Sequence, residues 1–222
     1  MKAAKNNIFF LAAADEKGRV AQTKAREIKD HLNKGTYRDE FDFFSSWNVG
    51  VRNLQETLLQ FKSEHRPPYI VHFSAEATTD GNIALAHDDG RPHIVSGSAI
   101  VELFKLLKDG ISAIILDGSH TQQLGRQLEG SIDSIVSMNG AIAGDSAVIF
   151  DSYFYQGLSY ERDFKKAFNL GINQLELEAK NDDSSKPVLH ERKVVVAAKP
   201  PLERKSVKYL DKNRRVVAAS SV

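Results

Sequence analysis

The chain has 222 residues, 41% of them hydrophobic, and a formal net charge of +1. That length suits one α/β domain with an appendage or two small domains, and the apolar content suffices for a sizeable core. The near-zero charge gives no global pull toward nucleic acid or a membrane, and the absence of cysteine excludes disulfides, thiolate metal sites and a thiol nucleophile.

Residues 8–14 form an apolar run, and 7–14 read as a first buried strand. The run is too short, and too soon followed by Asp15-Glu16-Lys17, to span a membrane, and it lacks a signal-cleavage region. Ala21, Ala25, Ile28 and Leu32 recur at helical spacing over 21–33, ending before Gly35. Residues 40–49, with Phe41, Phe43, Phe44 and Trp47, read as a strand whose aromatics supply core plus one partner-facing side. Over 51–61, Val51, Leu54, Leu58, Leu59 and Phe61 mark one helical face, which Pro67-Pro68 stop before a strand at 69–74. Thr79-Asp80-Gly81-Asn82 is a turn, and 83–86 with 93–95 flank Asp88-Asp89-Gly90 as a small hairpin. Ser98 is expected to cap a helix reaching residue 108.

Residues 112–116 are a continuous apolar run suited to the middle of a parallel sheet. A short helix at 121–128 and a strand at 134–138 follow, then helices over 145–158, capped by Asp145, and 160–178. Strands alternating with helices predict an α/β fold, a three-layer αβα sandwich with a mostly parallel central sheet. The polar break 181–187 ends the core in this reading, which divides the chain into a domain at 1–183 and a basic extension at 184–222. Residues 186–222 hold ten Lys/Arg against three acids, net +7, which reads as a solvated tail or as an arm for an acidic partner. Within it, 193–198 and 215–219 are β-prone pieces suited to edge strands, docked peptides or pairing with another chain.

Two segments carry a resemblance. Tyr69-Ile70-Val71-His72-Phe73-Ser74-Ala75-Glu76-Ala77 and Ile114-Ile115-Leu116-Asp117-Gly118-Ser119-His120-Thr121 are hydrophobic strands, each ending in a small polar cluster. Together with Ile8-Phe9-Phe10-Leu11-Ala12-Ala13, Ala25-Arg26-Glu27-Ile28, Tyr37-Arg38-Asp39-Glu40-Phe41, Val95-Ser96-Gly97-Ser98-Ala99 and Met138-Asn139-Gly140-Ala141-Ile142, their order and spacing over about 6–180 resemble CHAT-type caspase-like (clan CD) cysteine peptidases. In that family the first strand ends in a histidine base between glycines, the second in a cysteine nucleophile, and a backbone N–H beside the histidine helps hold the oxyanion. Here the histidine position reads Glu76, the cysteine position Ser119, and the glycine positions Ala75 and Ala77.

The resemblance implies a caspase-like domain without catalysis: a pseudoprotease acting as a protein-binding scaffold, inhibitor or regulatory subunit, in the bacterial defence or programmed-death setting where CHAT proteins occur. On that expectation the chain is not an enzyme, is cytoplasmic and binds a protein partner. A membrane or nucleic-acid partner is not expected, and there is room for a homo-oligomer. His72, Glu76, Asp117 and His120 are the candidates for a binding cleft. One alternative is a divergent hydrolase with Ser119 as nucleophile, although a carboxylate such as Glu76 is a weak base for a serine. Another is a module that holds a peptide or small ligand in the same cleft. His72, Glu76, Asp80, Asp117 and His120 sit where α/β folds gather ligands, but no HxxxH or HExxH spacing is present, and neither metal nor cofactor is expected. The segment 140–145 reads as a turn leading into a helix, not as a phosphate loop.

Overall fold

A computed structural model describes residues 5–13, 19–86, 91–192, 208–210 and 216–218. The elements in chain order are β1 (Asn6–Ala13), α1 (Arg19–Leu32), β2 (Phe41–Val49), α2 (Leu54–Glu64), β3 (Tyr69–Ser74), β4 (Ile83–Ala86), β5 (Pro92–Val95), α3 (Gly97–Leu106), β6 (Ile111–Asp117), α4 (Gln122–Leu128), β7 (Ser134–Met138), α5 (Gly144–Glu161), α6 (Phe164–Leu177), α7 (Asn181–Ser184), β8 (Pro187–Glu191), β9 (Lys208–Leu210) and β10 (Val216–Ala218). The expected turn at Asp88-Asp89-Gly90 and the β-prone piece 193–198 lie outside the described residues.

Six strands form one sheet in the order β2-β1-β3-β6-β7-β8. The first five are parallel, and β8 runs antiparallel to β7. Side chains alternate across the pleat, so each central strand feeds two cores. In β1, Ile8, Phe10 and Ala12 face α1, α5 and α6, while Phe9, Leu11 and Ala13 face the layer of α2, α3 and α4. Helices thus cover both faces, and the expected αβα sandwich is the observed architecture. Among the described residues no helix is long and apolar enough to cross a membrane.

Two caps fall elsewhere than expected. Ser96, not Ser98, takes the cap position of α3, and the two hydroxyls sit 2.6 Å apart. Asp145 lies inside α5, whose cap position is Ala143, and its Oδ2 pairs with Lys180 at 2.6 Å. The strand β8 is absent from the sequence reading altogether. It follows directly on the polar break, and its five residues alternate too briefly to stand out from a loop.

β8 is held by more than its ladder. His190 Nδ1 donates to Glu129 Oε1 at 2.5 Å, and its Nε2 accepts from the Ser137 hydroxyl at 2.8 Å. The order serine, histidine, carboxylate is that of a hydrolytic triad, but Ser137 is fully buried. Gly125 of α4 packs so closely that a Cβ there would stand 2.7 Å from Ser137 Oγ, leaving no room for a substrate carbonyl. The chain of hydrogen bonds is a clamp joining β7, β8 and α4.

The described part of residues 193–222 forms a compact unit of its own, in which β9 and β10 pair antiparallel with Val216 opposite Leu210.

Truncation after Asp183 removes β8 and is expected to lower the stability of the sandwich, read as an earlier urea midpoint. His190→Ala leaves the buried Ser137 hydroxyl unpartnered and should cost about 1–3 kcal/mol by the same measurement.

Candidate functional site

The order in which strands join the sheet reverses between β1 and β3: β2 lies on one side of this pair and β6 and β7 on the other. Connections diverge at such a point and leave a crevice beyond the carboxyl ends of the strands. Here the crevice is a cleft of about 220 Å³ whose lining includes Ala13, Lys24, Ser74, Glu76, Asp117 and Ala147. In the register, Ser74 stands beside Asp117, so β3 and β6 deliver two polar side chains to one spot.

The floor of the cleft is ionic. The Lys24 ammonium of α1 contacts Asp117 Oδ2 directly and lies 3.6 Å from Asp151 Oδ2 of α5. Asp117 Oδ2 also accepts from the Ser74 hydroxyl at 3.2 Å and lies 3.2 Å from His72 Nε2. His72 Nδ1 in turn lies 3.2 Å from the Tyr155 hydroxyl. Neither oxygen of Asp151 has a hydrogen-bond partner, although the residue is fully buried.

Charge distributes unevenly over these groups. Burial opposes the Lys24 charge, but Asp117 and Asp151 outweigh it and hold the lysine pKa above its ordinary value. Burial likewise opposes the Asp117 charge, but Lys24 and His72 overcome it and keep this carboxyl well below the usual range. Asp151 goes the other way: burial and the neighbouring Asp117 charge push its pKa well up, against the pull of Lys24. Burial lowers the His72 pKa against the hydrogen bond to Asp117. The shifts favour the charged forms of Lys24 and Asp117, which make one ion pair, and the neutral forms of Asp151 and His72 beside it.

The sequence candidates separate into three levels. Glu76 and Asp117 line the cleft, whereas His72 lies beneath it with no exposure and does not reach its surface. His120 is not part of the lining. Its backbone takes a left-handed φ of 63° and its N–H donates to the Gly140 carbonyl at 3.0 Å. Ser119 sits at the rim: its N–H donates to Glu76 Oε2 at 3.2 Å, its carbonyl accepts from Ala77 N–H at 3.2 Å, and its Oγ accepts from Ile142 N–H at 3.5 Å. The loops after β3 and β6 are thereby stitched together. Gly118 permits this approach, since a Cβ there would meet the Ala75 carbonyl oxygen at 1.9 Å. Ala75 and Ala77 bury their methyl groups in the core beneath the loop.

Lys24, Ser74 and Asp151 have no place in the sequence reading of the site. The signal was present for two of them. Lys24 falls on the apolar stripe of α1, four residues before Ile28, and Asp151 falls on that of α5, between Ala147 and Tyr155. A charge on a core-facing stripe needs a buried partner.

No protein-family profile matches the chain, and no curated protein matches it in sequence. Among solved structures it is similar to a secreted C11 cysteine protease from Bacteroides thetaiotaomicron in complex with an irreversible peptide inhibitor, at a TM-score of 0.57 and 10% identity. The match covers 80% of this chain and 60% of the protease, so the chain spans less than two thirds of that protein. The chain has a caspase-like fold. This corrects one expectation. The loop residues alone predict a chain that is not an enzyme, but a solved structure that shares its fold is a cysteine protease, and that expectation does not stand.

The ionic floor has a pH signature, to be read in chelator-containing buffer. The unfolded chain protonates its histidine near the ordinary 6.5 while folded His72 stays neutral, so stability should fall as pH drops below about that value. Asp117 adds stability that is lost at still lower pH, through its depressed folded pKa. Asp151, raised above the ordinary 3.8, costs stability as pH rises from there toward its folded pKa. At neutral pH, Asp117→Asn strands the lysine and should cost about 3–5 kcal/mol. Asp151→Asn replaces a carboxyl whose burial disfavours its charge with a neutral amide, and should be within about 1 kcal/mol of wild type or more stable, both read by urea unfolding.

Proposed function

We propose that this chain handles peptides, receiving an extended segment of a protein partner in the cleft at the ends of β1, β3 and β6. The supporting observation is the cleft itself: an apolar-walled groove at the sheet's switch point, with Ser74, Glu76, Asp117 and Lys24 as polar groups that orient a ligand. The fold adds to this reading, because the similar protease holds a peptide inhibitor. Loop β3 and loop β6 are fixed to each other through Glu76 and Ser119, so the groove is preformed and binding has little backbone ordering to oppose it.

A second reading is hydrolysis of the bound peptide, with Ser119 attacking the carbonyl. Two observations favour it. Ser119 stands at the rim directly beyond β6, and Ile142 N–H points at its Oγ from 3.5 Å. A serine needs a base to lend it strength. Glu76 is the carboxylate nearest in the chain of contacts, since its Oε2 already holds the Ser119 N–H.

Both readings are tested with one degenerate peptide library, read by retention on the immobilised chain and by mass spectrometry of products. Binding is expected to select a subset of peptides. Ala84→Phe, placed on the cleft wall, should weaken that selection about tenfold or more, the loss that about 1.4 kcal/mol produces. Under the second reading the retained peptides are also cut, and Ser119→Ala stops the cutting without ending retention. Equal retention by wild type and Ala84→Phe would remove the cleft from the account.

A further inference from the structure

The buried group beneath the cleft presents a problem that the ion pair alone does not solve. Asp151 has no exposure and no hydrogen-bond partner on either oxygen, an arrangement native proteins rarely leave without a ligand. Its Oδ2 does not stand alone. It lies 3.9 Å from His72 Nε2, which is itself 3.2 Å from Asp117 Oδ2, and one ligand atom from each of the three residues falls within 4.8 Å of the others. Ligands held at about 2.0–2.2 Å around a tetrahedral metal stand roughly 3.3–3.6 Å apart, so the spacing is near that of a closed coordination shell.

We propose that His72 Nε2, Asp117 Oδ2 and Asp151 Oδ2 form a three-ligand site for a zinc-class divalent cation, with the Lys24 ammonium as its resident competitor. The inference does not rest on the peptide-binding reading. Four features carry it. The donor set, one imidazole and two carboxylates, suits zinc, cobalt or manganese, whereas magnesium keeps its waters and prefers oxygen donors. The imidazole is oriented from behind, since Nδ1 meets the Tyr155 hydroxyl at 3.2 Å, as the second ring nitrogen of a metal-bound histidine does. The ammonium of Lys24 already sits among these carboxylates, touching Asp117 and lying 3.6 Å from Asp151, which marks the spot as one where positive charge is favoured. Finally, Lys24 belongs to the cleft lining together with Glu76, so the displaced ammonium has an exit and a carboxylate to meet there. Once Lys24 has moved, the fourth vertex of the metal opens toward the cleft, where a water or a ligand carbonyl completes the shell.

The test uses the full chain, stripped with a chelator and titrated with cobalt(II), then zinc. The wild type should bind one cobalt ion with the intense visible absorption of a tetrahedral site, and zinc should bleach it. Asp151→Asn should abolish that spectrum. Tyr155→Phe should weaken affinity by roughly 10–100-fold, the usual effect of losing an outer partner. Lys24→Met removes the competitor, so it should bind more tightly than wild type, and zinc should raise its melting temperature by more than it raises that of wild type. Where a variant does not fold, the wild type answers alone: ring-nitrogen NMR of His72 should shift on adding zinc. No stoichiometric binding by wild type and Lys24→Met, an unmoved His72 ring signal, or binding indifferent to Asp151→Asn would each overturn the site.

Discussion

A lysine ammonium and an aspartate carboxylate share a pocket from which water is nearly excluded, at the point where three parallel strands end. Everything near the cleft is arranged around that pair. Two charges taken out of water lose several kcal/mol of solvation each, and only tight geometry with further hydrogen bonds offsets the loss. Asp117 therefore gathers Lys24, His72 and Ser74 on one oxygen. The parallel register makes this feasible, because Ser74 and Asp117 end their strands side by side. α1 contributes the lysine from above and α5 closes the site with Asp151 and Tyr155. Replacing any one of these residues changes the charge balance felt by the rest.

Most of the sandwich is legible in the chain, and for a definite reason. β3 and β6 are continuous apolar runs because both their faces are buried, and β7 is bounded where the alternation of apolar residues stops. Helices α1 and α2 carry their buried residues at three- and four-residue spacing. These are local signals, readable one element at a time. β8 is illegible on the same grounds. It is short, half-exposed at one end, and is held by residues distant in sequence, Ser137 and Glu129 among them.

The site divides the same way. Glu76 and Asp117 could be read because they follow apolar strands directly, where α/β folds expose their loops. His72 has the right position in the chain but sits one pleat too deep, since strand residues two before the end already point into the core. Lys24 and Asp151 belong to helices that reach the site from other layers, and only the packing of α1 against α5 brings them to Asp117. The comparison with the protease carries a further lesson. Four substituted positions in two loops, judged by residue identity, predict an inactive chain, whereas the fold is shared with a cysteine protease. Residue identity in a loop and the purpose of the scaffold are separate questions.

The edge strand β8 also bears on how the molecule comes into being. The five parallel strands and their helices can assemble progressively as the chain leaves the ribosome, each unit docking on the last. Ser137, however, is buried beneath α4 with a hydroxyl that finds its acceptor only when His190 arrives. Until then the growing sheet carries a bare edge at β7 and an unanswered polar group within it. The sheet edge at β7 is thus closed only once residue 190 is present. A nascent chain paused between β7 and β8 would present that edge to holdase chaperones, or to the same edge of a neighbouring polysome product.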